Sequence, residues 1–209
     1  MPDLWEIERA LLAQGRQTIC GIDEAGRGPL AGPVFAAAVV LPPDISLPGL
    51  NDSKKLAESK RVKLYDMIIE GAAAYTVASA DHTVIDSRNI LNATFLAMRL
   101  AFEMLSVKPD FVLIDGNMDP GLECDGRCVV GGDGKSASIA AASILAKVSR
   151  DRFMAEIAGE YPEYAFEKHK GYGTRLHYER LNEYGPCAIH RMTFLKKWEA
   201  CKLKAGNIE

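Results

Sequence analysis

The sequence contains no long hydrophobic run. Its longest apolar stretch, residues 34–41, is followed by two prolines, and it is much shorter than the roughly 20 apolar residues that a membrane-spanning helix needs. The N-terminal segment is acidic and lacks the pattern of a signal peptide. We therefore expect a cytoplasmic protein that does not associate with a membrane.

Cysteine is also scarce. The chain has five cysteines, an odd number spread along its length, which excludes a dense disulfide framework and is typical of a reducing compartment. Cys124 and Cys128 form a C-x-x-x-C pair, but no matching pair of histidines or cysteines follows them. This spacing favours free thiols on a hairpin over a zinc site.

The chain lacks a strong excess of charge of either sign. Its formal net charge is −3, so the whole-chain charge does not indicate nucleic-acid binding. Residues 147–204, however, contain twelve Lys and Arg against eight Asp and Glu, and the rest of the chain is correspondingly acidic. This distribution fits a polyanion-binding edge beside an acidic site, although on charge alone chance explains it equally well.

The apolar pattern predicts an α/β protein. An N-terminal helix is followed by two strands, and later strands alternate with helices, which indicates a mixed sheet covered on both faces. With no linker or repeat in the sequence, we expect a single domain over residues 1–209, in which residues 160–209 form a helical, basic C-terminal extension. The predicted strands are residues 19–22, 33–41, 75–79, 111–114 and 128–130, and the longer predicted helices are residues 53–71, 90–104 and 136–157.

Acidic residues follow three of the predicted strands. Asp23 and Glu24 follow the first, Asp115 follows the fourth, and Asp133 follows the fifth. Sites in open α/β sheets form outside the carboxyl ends of the strands, so these acids converge if their strands are parallel neighbours. Each acid alone is better explained by a helix cap or a solvated turn. Together they favour a metal site.

Clustered carboxylates repel one another unless a cation compensates their charge. Oxygen ligands without histidine or cysteine select Mg²⁺ or Mn²⁺ over zinc. Two such ions about 3.5–4 Å apart can stabilise both the attacking and the leaving oxygen of a phosphodiester. The acids therefore indicate metal-assisted phosphodiester chemistry.

The run Gly134-Lys135-Ser136 ends like a phosphate-binding P-loop. That loop also needs a glycine five positions before Gly134, where this chain has Val129. We therefore predict that Ser136 caps a helix instead, and an ATPase is disfavoured.

Six short segments together resemble bacterial type 2 ribonuclease H, the ribonuclease HII family, and they run in the order found in that family. They are GIDEAGRGPLAGPV at 21–34, NDSKKL at 51–56, LIDG at 113–116, AASILAKV at 141–148, KHKGYGT at 168–174 and IHR at 189–191. The resemblance implies a ribonuclease H-like fold with a mixed five-stranded sheet flanked by helices. It also implies a Mg²⁺- or Mn²⁺-dependent endonuclease that cuts the RNA strand of RNA–DNA hybrids. Single ribonucleotides in duplex DNA would be incised on their 5′ side, leaving 3′-hydroxyl and 5′-phosphate ends.

The resemblance also implies roles for individual residues. The catalytic, metal-binding acids would be Asp23, Glu24, Asp115 and Asp133. The turn formed by residues 26–28 would recognise the 2′-hydroxyl, which distinguishes RNA from DNA, and Tyr172 would pack on the next sugar. The implied substrate-binding set is Gly26, Arg27, Gly28, Lys54, Ser143, Lys147 and Tyr172.

Some alternatives stay open at this level. Tyr172 is also explained as a half-buried tyrosine, and Lys54 and Lys147 as solvated surface. The histidines at 169, 177 and 190 are expected to be structural or near phosphate rather than metal ligands. Rival functions are a DNA-specific nuclease of the same fold class and a non-catalytic module that binds hybrids.

The chain departs from the expected family pattern at one acid. Where many relatives are expected to have Lys-Gly before the fourth acid, this chain has Gly131 and Gly132 before Asp133, so the loop that carries this acid departs from the pattern. Residues 196–209 contain no obvious glutamine-plus-aromatic motif for docking on a sliding clamp, and we expect a monomer.

Overall fold

The computed structural model describes residues 3–205, and for residue 55 and residues 201–205 it describes the backbone alone. Five strands form one sheet in the order β3-β2-β1-β4-β5. Strand β1 runs antiparallel to β2 and parallel to β4, β2 is antiparallel to β3, and β4 is parallel to β5. The predicted mixed five-stranded sheet is confirmed. The strands are β1 Ile19–Ala25, β2 Val34–Val40, β3 Ala74–Ala80, β4 Phe111–Asp115 and β5 Gly126–Val129.

The helices cover both faces of the sheet and form the part of the chain beyond it. The helices are α1 Glu6–Ala13, α2 Glu58–Gly71, α3 His82–Glu103, α4 Ala137–Glu160, α5 Phe166–His169, α6 Arg175–Tyr184 and α7 Met192–Ala205. Within residues 3–205, every helix falls short of the length and hydrophobicity that a bilayer-spanning helix needs.

Small side chains on β2 bring helices close to the sheet on both faces. Because successive residues of a strand point to opposite faces, Ala36 and Ala38 contribute to the cluster that contains residues of α3. Ala37 and Val39 contribute to the cluster that contains residues of α2 and α4. The sheet is therefore buried between two helical layers, as the apolar pattern predicts.

Helix α4 begins directly against β1. A Cβ added to Gly21 would lie 2.1 Å from the carbonyl carbon of Ser138 and 2.4 Å from the amide nitrogen of Ile139. Only glycine permits this approach, which brings the first turn of α4 beside the strand that carries Asp23. The hydroxyl of Ser136 accepts a hydrogen bond of 3.2 Å from the Ile139 amide, so the predicted helix cap is confirmed.

Two predicted helices have different boundaries in the structure. Residues 53–71 do not form one helix, because the Asp52 carboxylate accepts the Lys54 amide at 2.9 Å and closes a separate 3₁₀ turn, Ser53–Lys55, ahead of α2. Helix α3 starts earlier than residue 90 and has a break at Asn89, whose φ is 66°. The sequence pattern therefore detected only the part of α3 beyond that break.

The chain after α4 is mostly helical within the described residues, as expected. Its apolar side chains, among them Phe166 and Leu181, cluster with Leu30 and Ala31 from the loop that joins β1 to β2. The Leu30 amide donates to the Gly171 carbonyl at 2.8 Å. The C-terminal part thereby holds that loop in place. The tail of the predicted extension, residues 206–209, lies outside the described residues, and the single catalytic domain stays a prediction.

Candidate active site

Three of the predicted acids lie together at the carboxyl ends of two parallel strands. Because β1 and β4 pair with Ile22 opposite Ile114, the residues that follow come out at one edge of the sheet. Asp23, Glu24 and Asp115 each place a carboxylate oxygen within 4.8 Å of the others. We refer to these three residues as the acid cluster.

Asp133 stands beside the acid cluster rather than in it. Strand β5 ends at Val129, and Asp133 lies beyond it in the 3₁₀ turn Gly132–Gly134. Asp133 thus follows the fifth strand, as predicted, and the left-handed conformation of Gly131, with φ 64°, turns the chain between the strand and this acid. The Asp133 carboxylate lies 3.4 Å from the ammonium group of Lys54.

The fold requires glycine at residue 132, directly before Asp133. The Gly132 amide donates a 2.6 Å hydrogen bond to Oδ1 of Asp115. A Cβ at position 132 would lie 2.5 Å from Cδ1 of Ile139 and 3.2 Å from the Asp115 oxygen. A Cβ on Gly131 would meet nothing within 4 Å. The departure from the family pattern at residue 131 is therefore compatible with the contact between Gly132 and Asp115.

The electrostatics of these acids favour a bound cation. Burial, together with the charges of Glu24 and Asp115, raises the pKa of Asp23 well above its usual value. Burial likewise raises the pKa of Glu24, against the opposing charge of Arg27. The pKa of Asp133 is also raised by burial, and Lys54 opposes this shift. Burial and mutual repulsion therefore disfavour the ionised form of these carboxylates. A hard divalent cation bound to their oxygens would stabilise that form.

All seven predicted substrate-binding residues line a single cleft beside the acid cluster. It is lined by Glu24, Ala25, Gly26, Arg27, Gly28, Ser53, Lys54, Ser143, Lys147 and Tyr172. These residues come from the end of β1 and the loop after it, the turn before α2, helix α4 and the segment after α5. Distant parts of the sequence thus form one surface.

The two glycines of the 26–28 turn differ in what they permit. Gly26 has φ 98°, and an added Cβ would lie 2.1 Å from Nε of Arg150, so the fold itself requires glycine there. At Gly28 an added Cβ would meet only Cε1 of Tyr172, at an ordinary contact distance of 3.8 Å. Contacts within the protein therefore explain the glycine at residue 26, whereas none of them excludes a side chain at residue 28.

The polar residues of the cleft are already paired with protein groups. Lys147 lies 2.6 Å from Asp151. The hydroxyl of Ser143 is 2.9 Å from that of Ser53, and its hydrogen bond to Asp23 lowers the pKa of that acid, against the larger effect of burial. Ser143 is buried. Its hydroxyl therefore faces Asp23 and Ser53 rather than solvent.

Sequence reasoning missed the arginines that support the cleft. Arg150 lies on α4 together with Ser143 and Lys147, but it is buried, and it donates to the carbonyls of Ala31, Pro33 and Lys170. Arg191 is also buried and donates to the carbonyls of Gly26, Arg27 and Gly32. For Arg191, the only signal in the sequence was the IHR segment at 189–191.

The histidines lie behind the cleft and not at the acids. Nε2 of His177 is 3.0 Å from Nε2 of His190, and the His169 ring stacks on His177 at 4.5 Å. Burial lowers the pKa of both His177 and His190 to about 4. These residues are placed as the sequence predicts, in a structural role.

Cys124 and Cys128 are free thiols, as predicted. They do not lie on a hairpin, because Cys128 belongs to β5, which pairs with β4 in parallel. The hairpin prediction failed because a parallel edge strand and a hairpin strand have the same short apolar pattern. Burial raises the pKa of both thiols.

Comparison with known proteins gives matches over most of the chain. The model of the family "Ribonuclease HII" matches residues 20–197. A ribonuclease HII from Caldicellulosiruptor bescii is 59% identical over 192 residues, which cover 92% of this chain and 93% of that relative. The structure of the ribonuclease H2 from Pyrococcus horikoshii matches with a TM-score of 0.72 at 27% identity, over 85% of this chain and 93% of that one. The PCNA:RNase HII complex from Archaeoglobus fulgidus matches with a TM-score of 0.68 at 25% identity, over 84% and 94% of the two chains. The predicted ribonuclease H-like fold is confirmed.

Proposed function

Since the chain belongs to the ribonuclease HII family, and is thereby a metal-dependent endonuclease that hydrolyses the RNA strand of RNA–DNA hybrids, we propose that it also incises duplex DNA at single embedded ribonucleotides. The cut falls on the 5′ side of the ribonucleotide and leaves 3′-hydroxyl and 5′-phosphate ends. The observation that carries this proposal is the position of the 26–28 turn, which lines one cleft together with Glu24 of the acid cluster.

The proposed metal site consists of Asp23, Glu24, Asp115 and Asp133, and its ion is Mg²⁺ or Mn²⁺. Three of these acids already place oxygens within 4.8 Å of one another, which suits a cation that prefers carboxylate and water ligands. A divalent ion bound here would make a water molecule nucleophilic at neutral pH and stabilise the departing oxygen.

The protein's own contacts fix the orientation of these acids. Oδ1 of Asp23 accepts the amide of Glu24 at 2.7 Å, and Oδ1 of Asp115 accepts that of Gly132. Each of these two carboxylates therefore has one oxygen engaged by backbone. Glu24 is within 3.3 Å of the Arg27 guanidinium. Together these contacts hold the ligand oxygens in position before any substrate arrives.

The remaining cleft residues recognise the substrate in this proposal. Backbone groups of the 26–28 turn bond the 2′-hydroxyl, which DNA lacks. Tyr172, which is 42% exposed, packs its ring on the sugar of the following deoxyribonucleotide. Lys54 and Lys147 contact backbone phosphates, and the Ser143 hydroxyl assists them while it orients Asp23. Phosphate contacts carry no sequence information, so we expect little dependence on base sequence.

We further propose that the chain acts as a monomer in the cytoplasm. The proposed partners are RNA–DNA hybrids and duplex DNA that carries ribonucleotides.

The test uses three matched duplexes: one with a single ribonucleotide, one RNA–DNA hybrid and one made wholly of DNA. Each is incubated with Mg²⁺, Mn²⁺ or EDTA, and the products are separated on a denaturing gel beside an alkali ladder. We expect metal-dependent cleavage of the first two, and in the first duplex a 3′-hydroxyl on the deoxynucleotide before the ribonucleotide and a 5′-phosphate on the ribonucleotide itself. A cyclic-phosphate end, which the 2′-hydroxyl would produce by attacking its own phosphate, or equal cleavage of the all-DNA duplex, contradicts the proposal.

A further inference from the structure

Two buried arginines lie behind the cleft without a carboxylate partner. Arg150 is 1% exposed and Arg191 is 0% exposed, and within the described residues neither forms an ion pair. Burying an unpaired cation is costly unless other groups bond it. Burial accordingly lowers the pKa of Arg150 to about 10 and that of Arg191 to about 9. Because burying these two cations is unfavourable, we expect Arg150 and Arg191 to have a role other than packing.

The two arginines donate to six backbone carbonyls, and five of these belong to one loop, residues 26–33. Arg191 donates to the carbonyl oxygens of Gly26 at 2.6 Å, Arg27 at 2.9 Å and Gly32 at 2.9 Å. Arg150 donates to those of Pro33 at 3.1 Å, Ala31 at 3.2 Å and Lys170 at 2.9 Å. Five carbonyls of the segment 26–33 are therefore held from behind, and Arg191 alone holds both peptide units of the 26–28 turn.

This anchoring fixes the direction of two amide groups. The described residues contain no cis peptide bond, and in a planar trans peptide the N–H points away from the C=O. Because the carbonyls of Gly26 and Arg27 point to Arg191, the amides of Arg27 and Gly28 point to the opposite side, where the cleft lies. Within the described chain, neither of these two amides donates a hydrogen bond to protein.

The turn would be loose without this support. Two of its three residues are glycines, which rotate more freely than any other residue, so either peptide unit could flip. The planar fork of a guanidinium fixes several acceptors at once, which a lysine ammonium does not do. A carbonyl that accepts a hydrogen bond also makes the amide of the same peptide a stronger donor.

We propose that Arg191, supported by Arg150, is a positioning residue that determines specificity for ribose: it holds the 26–28 turn so that the amides of Arg27 and Gly28 face the 2′-hydroxyl. This inference rests on the proposed function, because it concerns how the same turn reads the sugar. It adds that the selectivity for ribonucleotides depends on a buried residue that does not touch the substrate.

The first test replaces Arg191 by lysine, which keeps the charge but not the fork. Binding is measured in Ca²⁺, as the metal probe, to a duplex with one ribonucleotide and to the same duplex made of DNA. We expect the ribose preference in binding to fall about tenfold or more, with little change in affinity for the all-DNA duplex, because Lys54 and Lys147 are untouched. The matched control is Arg99→Lys, since Arg99 also donates to a loop carbonyl, that of Pro120 at 2.7 Å, at a site away from the cleft. An Arg191→Lys variant that keeps the full ribose preference overturns the inference.

The second test uses the unmodified protein, so it does not depend on whether the variant folds. Hydrogen exchange of the Arg27 and Gly28 amides is followed by NMR in the free protein and with each duplex in Ca²⁺. We expect both amides to exchange rapidly in the free protein and to be slowed by the ribonucleotide duplex but not by the DNA duplex. Equal effects of the two duplexes, or amides already protected in the free protein, contradict the inference.

The two proposals fail in different ways. If the unmodified protein does not incise the ribonucleotide duplex or does not prefer it over DNA, the proposed function is wrong. If it cuts with strong ribose preference and Arg191→Lys retains that preference, only the role of Arg191 is wrong.

Discussion

The ammonium nitrogen of Lys54 lies 3.4 Å from Oδ2 of Asp133, so a proposed phosphate ligand is already paired with a proposed metal ligand. Partial burial disfavours the charged form of Lys54, but the carboxylates of Asp133 and Asp23 outweigh this effect and raise its pKa. Lys54 is therefore charged at neutral pH. It stands where the metal site and the substrate phosphate would meet.

Replacing Lys54 by alanine should weaken substrate binding. Losing one phosphate contact lowers the slope of log affinity against log salt by roughly one unit, and all base sequences should be affected alike. The measurement is a salt titration of duplex affinity in Ca²⁺. The matched control is Lys63→Ala, at an exposed lysine of α2. A salt slope equal to that of the unmodified protein would remove Lys54 from the phosphate contacts.

Replacing Asp115 by asparagine should nearly abolish cleavage and leave the fold intact. The asparagine Oδ1 can still accept the Gly132 amide, so the turn that carries Asp133 is retained, but the negative charge needed by a metal is lost. Because the charge of Asp115 contributes to the raised pKa of Asp23, the metal-free variant should be as stable as the unmodified protein or slightly more stable.

The metal dependence of thermal unfolding tests the role of Asp115 separately from activity. Mg²⁺ or Mn²⁺ should raise the melting temperature of the unmodified protein, since a ligand that binds only the folded state stabilises it, and should do so much less for Asp115→Asn. Asp44→Asn makes the same charge change at an exposed position and should behave like the unmodified protein. Near-normal turnover of Asp115→Asn in Mg²⁺ would exclude Asp115 as a ligand.

We expect the protein to lose stability in acid because of the buried histidines His177 and His190. Burial is the main reason why the pKa of His177 and that of His190 are lowered from 6.5 to about 4. The folded protein then binds fewer protons than the unfolded chain between these values, so their contribution is complete above about pH 6.5 and is lost as the pH falls toward 4. For one such histidine the change is on the order of 3 kcal/mol.

Urea unfolding between pH 7.5 and pH 4.5 measures this effect. The free energy of unfolding should fall with decreasing pH in the unmodified protein and in His82→Gln, which changes a histidine outside the buried group. In His177→Leu the fall should be smaller, because one proton-binding difference is removed. An equally steep fall in His177→Leu would show that other groups cause the acid sensitivity.

The sequence predicted the sheet and the position of the acid cluster because both follow from short local patterns. Apolar strands that end in Asp23-Glu24 and in Asp115 converge once β1 and β4 are parallel neighbours. The 3₁₀ turn ahead of α2 was missed, because it depends on the side chain of Asp52 rather than on periodicity.

The supporting contacts of the cleft could not be predicted from the sequence. Arg150 lies on a helix face with two cleft residues, and only the fold shows that the loop 26–33 and Lys170 cover it. Arg191 is 165 positions from Gly26, whose carbonyl it bonds. Contacts of this range follow from the packing of the C-terminal helices on the loop after β1, which no local pattern encodes.

The two glycines of the 26–28 turn provide a matched pair of variants. Gly26→Ala should destabilise the fold, because a left-handed φ of 98° costs about 1–2 kcal/mol for a residue with a Cβ and because that Cβ would lie 2.1 Å from Arg150. Gly28→Ala has no such conflict, since its Cβ would be 3.8 Å from Tyr172. The melting temperature should therefore fall for Gly26→Ala and stay nearly unchanged for Gly28→Ala.

Substitutions of Gly28 should instead lower the cleavage rate while leaving the melting temperature nearly unchanged. A methyl group at residue 28 projects into the cleft, where the sugar of the ribonucleotide is proposed to lie, so Gly28→Ala, and Gly28→Val more strongly, should cut the ribonucleotide duplex more slowly without starting to cut DNA. A site that bonds a hydroxyl can discriminate against its absence by about 10⁴-fold or more, and a substituent that blocks access removes rate but creates no activity toward DNA. The measurement is kcat/KM for both duplexes beside the melting temperature of each variant. A stable Gly28→Val with undiminished cleavage of the ribonucleotide duplex would place the sugar elsewhere.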